Sequence, residues 1–221
     1  MDKKAIILTC RFLDLHLRSA QEKMGTNIPV IELDTSLHRE PEKMRERILE
    51  EIRGIPPEYD TILVSMGFCG GSWRDVVTDR RVVIPRIDDC ITILLTTDDE
   101  WKPNRKNTGC MYMTDNTNED MTIHSMYESC IQQYGEKRGK FYFDVMFSGY
   151  HRVGIIDTGV YDSYAPDFLK EAQLSADLID GTVEHVPGSN RILEKLVSGQ
   201  WDDQFLILEP GMTMEERDLF E

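Results

Sequence analysis

The sequence is poor in basic residues and has no long apolar run. Its 221 residues include 25 Lys and Arg against 40 Asp and Glu, so the net charge is −15. This excess of negative charge argues against nucleic acid or an anionic membrane as the main partner, because both are bound through basic patches. No stretch approaches the ~18 apolar residues of a membrane span, and the first apolar run ends at Thr9-Cys10, too early for a signal peptide. We therefore expect a cytoplasmic protein.

Several common catalytic motifs are also missing. The sequence has no Walker A loop and no G-x-G-x-x-G, G-x-S-x-G or H-E-x-x-H motif, so the usual nucleotide-binding, serine-hydrolase and zincin functions lose support. Its five cysteines form no C-x-x-C pair. In a reducing compartment they indicate free thiols or a metal site assembled in space, not a disulfide framework.

Apolar runs alternate with helical patterns along the chain. Strands are predicted at residues 5–8, 29–33, 61–66, 82–84, 91–95, 153–157, 182–186 and 205–208. Helices are predicted at residues 13–23, 41–52, 123–134, 166–176 and 190–197. Near-continuous apolar strands that alternate with helices are typical of parallel sheets covered by helices. The fold class is therefore α/β, with Rossmann-like or flavodoxin-like lobes.

A weak internal repeat suggests that the two lobes are similar, although any two α/β segments match about this well. The paired segments are 6–10 with 155–159 and, at an offset of 144, 48–52 with 192–196 and 62–67 with 206–211. We predict an N-terminal lobe at residues 1–95, a connecting segment with a helix at 96–150 and a C-terminal lobe at 151–221. Ligands would then bind in a cleft at the carboxyl ends of the strands.

Three cysteines share one structural context. Cys10, Cys69 and Cys90 each follow a predicted strand, and the carboxyl ends of parallel strands lie at one edge of a sheet. Three thiolates suit a [4Fe–4S] cluster with one open iron, or a zinc ion with an open fourth position. The simpler alternative is three separate buried thiols, because free cysteine is often buried. Cys110 and Cys130 have the patterns of core residues.

Charged residues near the same predicted edge are candidates for chemistry. Arg86 would clamp a carboxylate or phosphate, while Asp88, Asp89 or His38 would move protons as catalytic groups. The simpler alternative is that Arg86 pairs with Asp88 across a turn and Asp89 caps the next helix. On this alternative, His38 is a cap or surface residue.

Glycines and polar residues after two strands are candidates for binding the substrate. Gly70 and Gly71 follow Cys69 and allow a close approach of the backbone to a ligand. Asp157, Thr158 and Gly159 follow the strand predicted in the second half. Turns after strands often have this composition without a binding role.

Together these motifs resemble a family catalogued as domain of unknown function 1638, over nearly the whole chain. The most specific element is Gly67-Phe68-Cys69-Gly70 followed by residues 85–91, P-R-I-D-D-C-I. Further matches are Leu8-Thr9-Cys10, Leu37-His38-Arg39-Glu40-Pro41, Ile156-Asp157-Thr158-Gly159 and W-D-x-x-F at residues 201–205 with Pro210-Gly211.

The sequence departs from the family pattern at two places. Asp88 stands where members tend to have another polar residue such as histidine. Residues 113–116, Met-Thr-Asp-Asn, stand where members tend to have T-P-G-W. The T-P-G-W element is therefore not present at the corresponding position of this chain.

The resemblance implies a protein of anaerobic bacteria or archaea, associated with corrinoid-dependent methyltransferase genes. It also implies that Cys10, Cys69 and Cys90 act together. This arrangement is similar to the sites of quinolinate synthase and the three-cysteine desulfidases, in which three thiolates hold a cluster with a free iron. The resulting hypothesis is a lyase-like protein whose three-cysteine [4Fe–4S] cluster binds or transforms a small anionic substrate in one-carbon metabolism. The alternatives are a three-cysteine zinc site, a non-catalytic metal- or corrinoid-binding accessory protein of a methyltransferase, and a small-molecule binder with merely buried cysteines.

Overall fold

The chain forms two units, each with its own sheet. The structure is a computed structural model that describes residues 4–115, 117 and 122–219. The first unit combines the chain up to Arg105 with the chain from Ser189 onward, and the second unit is Lys106–Gly188. The α/β class with parallel sheets is confirmed. The division differs from the predicted boundaries, because residues 189–221 return to the first unit.

The described residues contain eight strands and seven α-helices. The strands are β1 (Lys4–Cys10), β2 (Val30–Leu33), β3 (Tyr59–Ser65), β4 (Arg81–Pro85), β5 (Cys110–Met113), β6 (Arg152–Asp157), β7 (Thr182–Pro187) and β8 (Phe205–Leu208). The helices are α1 (Asp14–Met24), α2 (Pro41–Gly54), α3 (Cys90–Leu95), α4 (Ile123–Tyr134), α5 (Glu136–Phe147), α6 (Pro166–Leu178) and α7 (Arg191–Ser198).

The sheet of the first unit has the strand order β2-β1-β3-β4-β8. The first four strands are parallel, and β8 runs antiparallel beside β4. The chain leaves β1 toward β2 on one side and reaches β3 on the other, as in flavodoxin-like folds. The carboxyl ends of β1 and β3 therefore form the topological switch point, where ligands bind in such sheets.

The antiparallel direction of β8 argues against an internal repeat of two similar lobes. The repeat equates residues 62–67, which include the end of β3, with residues 206–211, which include most of β8. However, β3 is an inner parallel strand and β8 is an antiparallel edge strand of the same sheet. Residues 48–52 in α2 and 192–196 in α7 also both lie in the first unit. The repeat therefore does not define two similar lobes.

Local sequence accounts for most helix starts. Proline occupies the first turn of both α2 and α6, where its missing N–H costs nothing.

The predicted strand at residues 91–95 is wrong, because this stretch belongs to α3. Asp89 caps α3 by accepting a hydrogen bond from the backbone N–H of Thr92 at 3.0 Å. Apolar residues on nearly every side of a short buried helix give the same pattern as a buried strand.

The second unit is a parallel sheet, β5-β6-β7, covered by three helices. Its core combines Val153 and Ile155 of β6 with Phe143 and Phe147 of α5, and Cys130 of α4 is part of it. The predicted connecting segment at 96–150 therefore contains β5, α4 and α5. None of the helices in the described parts of the chain has the length and apolar content needed to cross a bilayer.

The buried histidine of α1 makes the stability of the first unit dependent on pH. His16 is fully buried, and burial lowers its pKa to about 4 from the ordinary histidine value of 6.5. Between these two values the unfolded chain binds more protons than the folded chain. We expect the full stability above pH 6.5 and its progressive loss toward pH 4, by about 3 kcal/mol.

Denaturant unfolding of the metal-free protein, followed by tryptophan fluorescence, measures this loss, because Trp73, Trp101 and Trp201 all lie in the first unit. His16→Gln should flatten the dependence of stability on pH. His124→Gln, at a half-buried position of α4, should keep it. An unchanged slope in His16→Gln would show that other groups cause the dependence.

Candidate metal site

Four side chains reach the carboxyl edge of the first sheet from four different strands. Cys10 is the last residue of β1, and His38 lies in the 3-10 turn Thr35–Arg39 after β2. Cys69 opens the 3-10 turn Cys69–Gly71 after β3, and Cys90 is the first residue of α3 after β4. The parallel topology therefore brings together residues that are up to 80 positions apart in the sequence.

The metal-binding atoms of these residues are close to one another. The Sγ atom of Cys10 lies 2.9 Å from Nε2 of His38, and the Sγ atoms of Cys69 and Cys90 are 3.8 Å apart. The ligand atoms of Cys10, His38 and Cys90 all lie within 4.8 Å of one another. Thiolate and imidazole are ligands of zinc and other transition metals. The edge can therefore hold a metal ion through Cys10, His38 and Cys90.

A close contact between two loops sets Cys69 beside Cys90. A Cβ atom on Gly67 would lie 2.7 Å from the backbone of Asp89, so only glycine fits. The next two backbone N–H groups donate to the loop after β4, from Phe68 to Ile87 O at 2.9 Å and from Cys69 to Asp88 O at 2.7 Å. These contacts hold the turn after β3 against the start of α3.

Cys69 has an unusual backbone conformation. Its φ is 45°, and Gly70 and Gly71 follow with φ values of 67° and 91°. A non-glycine residue in this left-handed region costs on the order of 1 kcal/mol or more, and such strain clusters at functional sites. Cys10 and Cys90 are buried, whereas Cys69 is only partly buried. Cys69 is thus the strained and accessible member of the thiol group.

The environment keeps two of the thiols in their neutral form. The contact with Cys90 and then burial raise the pKa of Cys69 well above the usual value, and His38 opposes this effect. The contact with Cys10 is the largest cause of the raised pKa of Cys90. Buried thiols of this kind gain their charge when a metal ion displaces the proton.

The two aspartates after β4 bind backbone groups. Oδ1 of Asp88 accepts from the N–H of Asp89 at 2.8 Å, and Oδ1 of Asp89 caps α3. The cap is one that the sequence analysis considered for Asp89. The proton-transfer roles of Asp88 and Asp89 stay predictions.

Arg86 holds the C-terminal segment of the chain. Its Nε donates to the backbone oxygen of Asp218 at 3.1 Å, and its Nη1 lies 3.5 Å from that of Asp203. The guanidinium also lies over the ring of Trp101, 4.0 Å from the centroid. These contacts give Arg86 a packing role, and its predicted binding of an anion stays a prediction.

A second arginine lies beside the cysteine turn and was not identified from the sequence. Nη2 of Arg45, on α2, is 3.4 Å from the backbone oxygen of Gly71. Its Nε is buried without a hydrogen-bond partner among the described residues. Arg45 is one of three arginines in a charged, amphipathic helix, and the sequence gives no signal that it lies beside this turn.

The substrate-binding residues predicted in the second half lie at the carboxyl end of β6, in the second unit. Asp157 ends the strand, and its side chain accepts from the N–H of Gly159 at 3.3 Å. The hydroxyl of Thr158 accepts from the N–H of Val160 at 3.4 Å. These contacts form an ordinary turn after a strand, and a role in substrate binding stays a prediction.

A family model described as "Protein of unknown function (DUF1638)" matches residues 32–197. The chain belongs to the DUF1638 family. The matched segment of this DUF1638 protein includes His38, Cys69 and Cys90, and Cys10 precedes it. No curated protein and no solved structure matches the chain.

The stretch that replaces the T-P-G-W element, residues 113–116, is described by the structure only as far as residue 115. Met113 ends β5 and Thr114 is buried directly after it, while Asn116 lies outside the described residues. The other departure, Asp88, lies in the loop that holds Cys69. Asp88 accepts a hydrogen bond from the N–H of Asp89. A neutral histidine, the residue that other members tend to have here, also has a ring nitrogen that accepts such a bond.

The loop contact at Gly67 provides a test of the site's construction. We expect Gly67→Ala to destabilise the first unit by about 1–3 kcal/mol, because the new methyl group must displace the backbone of Asp89. The thiols of Cys69 and Cys90 should then react faster with a thiol reagent such as Ellman's reagent. Both effects are measured on the metal-free protein.

The matched control is Gly54→Ala, at the end of α2. A Cβ atom there would meet nothing within 4 Å, and the φ of Gly54 is not positive. This variant should keep or slightly raise the melting temperature and leave thiol reactivity unchanged. Equal effects of the two substitutions would refute the proposed tightness of the Gly67–Asp89 contact.

Proposed function

We propose that this DUF1638 protein binds a single transition-metal ion through Cys10, His38 and Cys90 and uses it to bind a small molecule. The observation that carries the proposal is the cluster itself, in which one atom from each residue lies within 4.8 Å of the other two. Two thiolates and an imidazole, here supplied by a strand end, a helix start and a turn, are a common ligand set for zinc. A catalytic zinc site has three protein ligands and a fourth position at which substrate binds. In the resting site Cys69 would fill that fourth position.

The spacing of the Cys69 and Cys90 thiols fits a single ion. Two thiolates on a tetrahedral zinc ion, each about 2.3 Å from the metal, are about 3.8 Å apart. The Sγ atoms of Cys69 and Cys90 have this separation, 3.8 Å. In a [4Fe–4S] cluster each thiolate binds a different iron, so the thiolates are held farther apart. The imidazole beside Cys10 also suits a zinc-like ion.

Cys69 is proposed as the ligand that leaves when a substrate binds. The partly exposed turn that carries it contains two glycines, whereas Cys10 and Cys90 are buried on regular elements. The metal ion, when bound, supplies a Lewis acid for a donor atom of the substrate. The chain's own residues hold the ion, exclude water on the buried side and leave access on the side of Cys69. Arg45 lies beside this turn and would attract an anionic group to it.

Metal titration under anaerobic conditions tests the proposal. We expect one equivalent of Co²⁺ per chain and the absorption bands of thiolate coordination. Cys10→Ser, His38→Ala and Cys90→Ser should lower the affinity by at least tenfold, as each removes one ligand. Cys69→Ser should keep the stoichiometry and shift the spectrum, because a thiolate is lost from the fourth position.

The matched control is Cys130→Ser, which removes a buried thiol from the core of the second unit. It should leave the Co²⁺ spectrum and affinity unchanged. Binding that survives the loss of both His38 and Cys90 would contradict the proposed ligand set. Elemental analysis of the protein as isolated identifies the natural metal.

A [4Fe–4S] cluster is the second candidate, favoured by the contacts of Cys90 with both Cys10 and Cys69. Its ligands would be Cys10, Cys69 and Cys90, so Cys69→Ser would abolish binding and His38→Ala would spare it. This is the reverse of the pattern for a single ion. Four irons per chain after anaerobic reconstitution would support the cluster.

The family model names no activity, so the finer predictions made from the sequence remain predictions. These are a lyase-like reaction, a small anionic substrate and a place in corrinoid-linked one-carbon metabolism. The accessory-protein alternative differs from an enzyme in one measurable respect. It predicts metal or corrinoid binding together with a methyltransferase component, but no turnover by the chain itself.

A further inference from the structure

The thiols of Cys69 and Cys90 are close enough to form a bond with each other. Both are free thiols, and their Sγ atoms are 3.8 Å apart. A disulfide bond is about 2.05 Å long, so each sulfur needs to move by only about 1 Å. The two loops are already in contact, since the N–H of Cys69 donates to the backbone oxygen of Asp88 at 2.7 Å. Formation of the bond is therefore a local change in these loops.

Exposure decides which of the two sulfurs a reagent from solution reaches first. The structure describes all five cysteines, and among them Cys69 alone is partly exposed. The next residue, Gly70, is exposed, so this turn faces the solvent. Cys90 is buried and in contact with Cys69. Cys69 is therefore the entry point for a reagent, and Cys90 is the thiol that follows it.

Cys10 is the other thiol near Cys90, but it is poorly placed for the same reaction. Cys10 is fully buried, and its Sγ lies 2.9 Å from Nε2 of His38. A bond between Cys10 and Cys90 would join two buried sulfurs. A bond between Cys69 and Cys90 starts instead at a sulfur on the solvent side. The exposure of the thiols therefore favours the second pair.

We propose that Cys69 is a site of oxidative modification by low-molecular-weight disulfides, and that Cys90 is its resolving thiol. In the first step the sulfur of Cys69 attacks the small disulfide and loses its proton, one small thiol leaves, and a mixed disulfide forms. In the second step the sulfur of Cys90 attacks that of Cys69 and loses its proton, and the second small thiol leaves. The protein pair loses two electrons and two protons, and the small disulfide gains them as two thiols.

Proximity makes the second step faster than the first. Contact with a neighbouring thiol and burial raise the pKa of both Cys69 and Cys90, so both are mostly protonated and neither step gains from a high thiolate content. The first step needs a collision with a molecule from solution. The second step takes place between groups that the fold already holds together. The mixed disulfide should therefore form slowly and disappear quickly.

The disulfide and the metal ion exclude each other. This consequence rests on the proposed function, in which Cys90 is one of the three ligands. Metal ions bind the thiolate of cysteine, and a sulfur in a disulfide has no thiolate to offer. Conversely, an ion that holds both Cys69 and Cys90 keeps their sulfurs from attacking a disulfide. Oxidation would therefore empty the site, and a thiol reductant would restore it.

Incubation of the metal-free, 221-residue chain with oxidised glutathione tests the disulfide. Intact-mass spectrometry should show the loss of two hydrogen atoms with no glutathione retained, and peptide mapping should show Cys69 joined to Cys90. Dithiothreitol should reverse the change. The proposal is overturned if no disulfide forms within the chain after prolonged incubation. A cross-link from Cys10 to Cys90 in its place would overturn it as well.

Two variants separate the two steps. Cys90→Ser should stop at the mixed disulfide and keep one glutathione on Cys69, because the resolving thiol is absent. Cys69→Ser should take up no glutathione in the same time, because its other thiols are buried. The proposal fails if folded Cys90→Ser takes up no glutathione, or if folded Cys69→Ser forms a disulfide as fast as the wild type. Circular dichroism checks the folding, and the peptide map of the wild type needs no variant.

Cys130→Ser is the matched control for these variants. It removes a buried thiol from the core of the second unit, away from the cysteine turn. This chain should form the disulfide between Cys69 and Cys90 at the rate of the wild type. Loss of the disulfide in Cys130→Ser would show that Cys130 takes part in it, and this would overturn the assigned pair.

Co²⁺ separates this proposal from the proposed function. If the reduced chain does not bind Co²⁺, the metal site is contradicted, whereas the mass measurement still decides the disulfide. If the reduced chain binds Co²⁺, the oxidised chain should bind it at least tenfold more weakly, because one ligand is lost. The chain loaded with Co²⁺ should also form the disulfide at least tenfold more slowly. Equal Co²⁺ affinities of the two forms, or equal rates of oxidation with and without Co²⁺, would overturn the mutual exclusion.

Discussion

The contact between Gly67 and the backbone of Asp89 is the constraint on which the candidate site depends. Parallel pairing brings β1, β3 and β4 to a common edge, but it does not by itself bring their loops into contact. The missing side chain at Gly67 lets the turn after β3 lie directly on the start of α3. Two backbone hydrogen bonds then fix the register of the two loops, and Cys69 and Cys90 become neighbours. The placement of the thiols therefore follows from backbone packing.

Local patterns in the sequence predict the helices well when a specific signal marks their start. The predicted boundaries at 41 and 166 are confirmed by proline in the first turn, and 123–134 is confirmed as α4. The stretch 91–95 was mistaken for a strand because all its residues are apolar or β-branched, and only the cap at Asp89 shows otherwise. Helix α5 was not predicted, since one residue separates it from α4 and its apolar residues cover both faces. The antiparallel direction of β8 could not be predicted, because an apolar run carries no direction.

For the candidate site, the sequence predicts where the residues lie in the fold but not which of them contact one another. Topology alone predicts that residues after parallel strands meet, and this placed Cys10, His38, Cys69 and Cys90 at one edge. It does not tell which of them touch: the sequence assigned His38 to proton transfer, whereas its Nε2 lies 2.9 Å from the sulfur of Cys10. Topology likewise does not tell that the guanidinium of Arg86, which is predicted to bind an anion, also binds a backbone oxygen of the distant C-terminal segment. Partners more than a hundred residues away leave no local signal.

The backbone at Cys69 connects the architecture of the site to its proposed use. Three ligands attached to a strand end, a turn after a strand and a helix start would hold the ion in a rigid frame. The fourth ligand, the thiol of Cys69, belongs to a left-handed residue followed by two glycines, and hydrogen bonds donated to the neighbouring loop maintain its strained conformation. Departure of this thiol would relax the turn without moving a strand or a helix. Exchange of a ligand at the fourth position would therefore cost less here than at any of the other three.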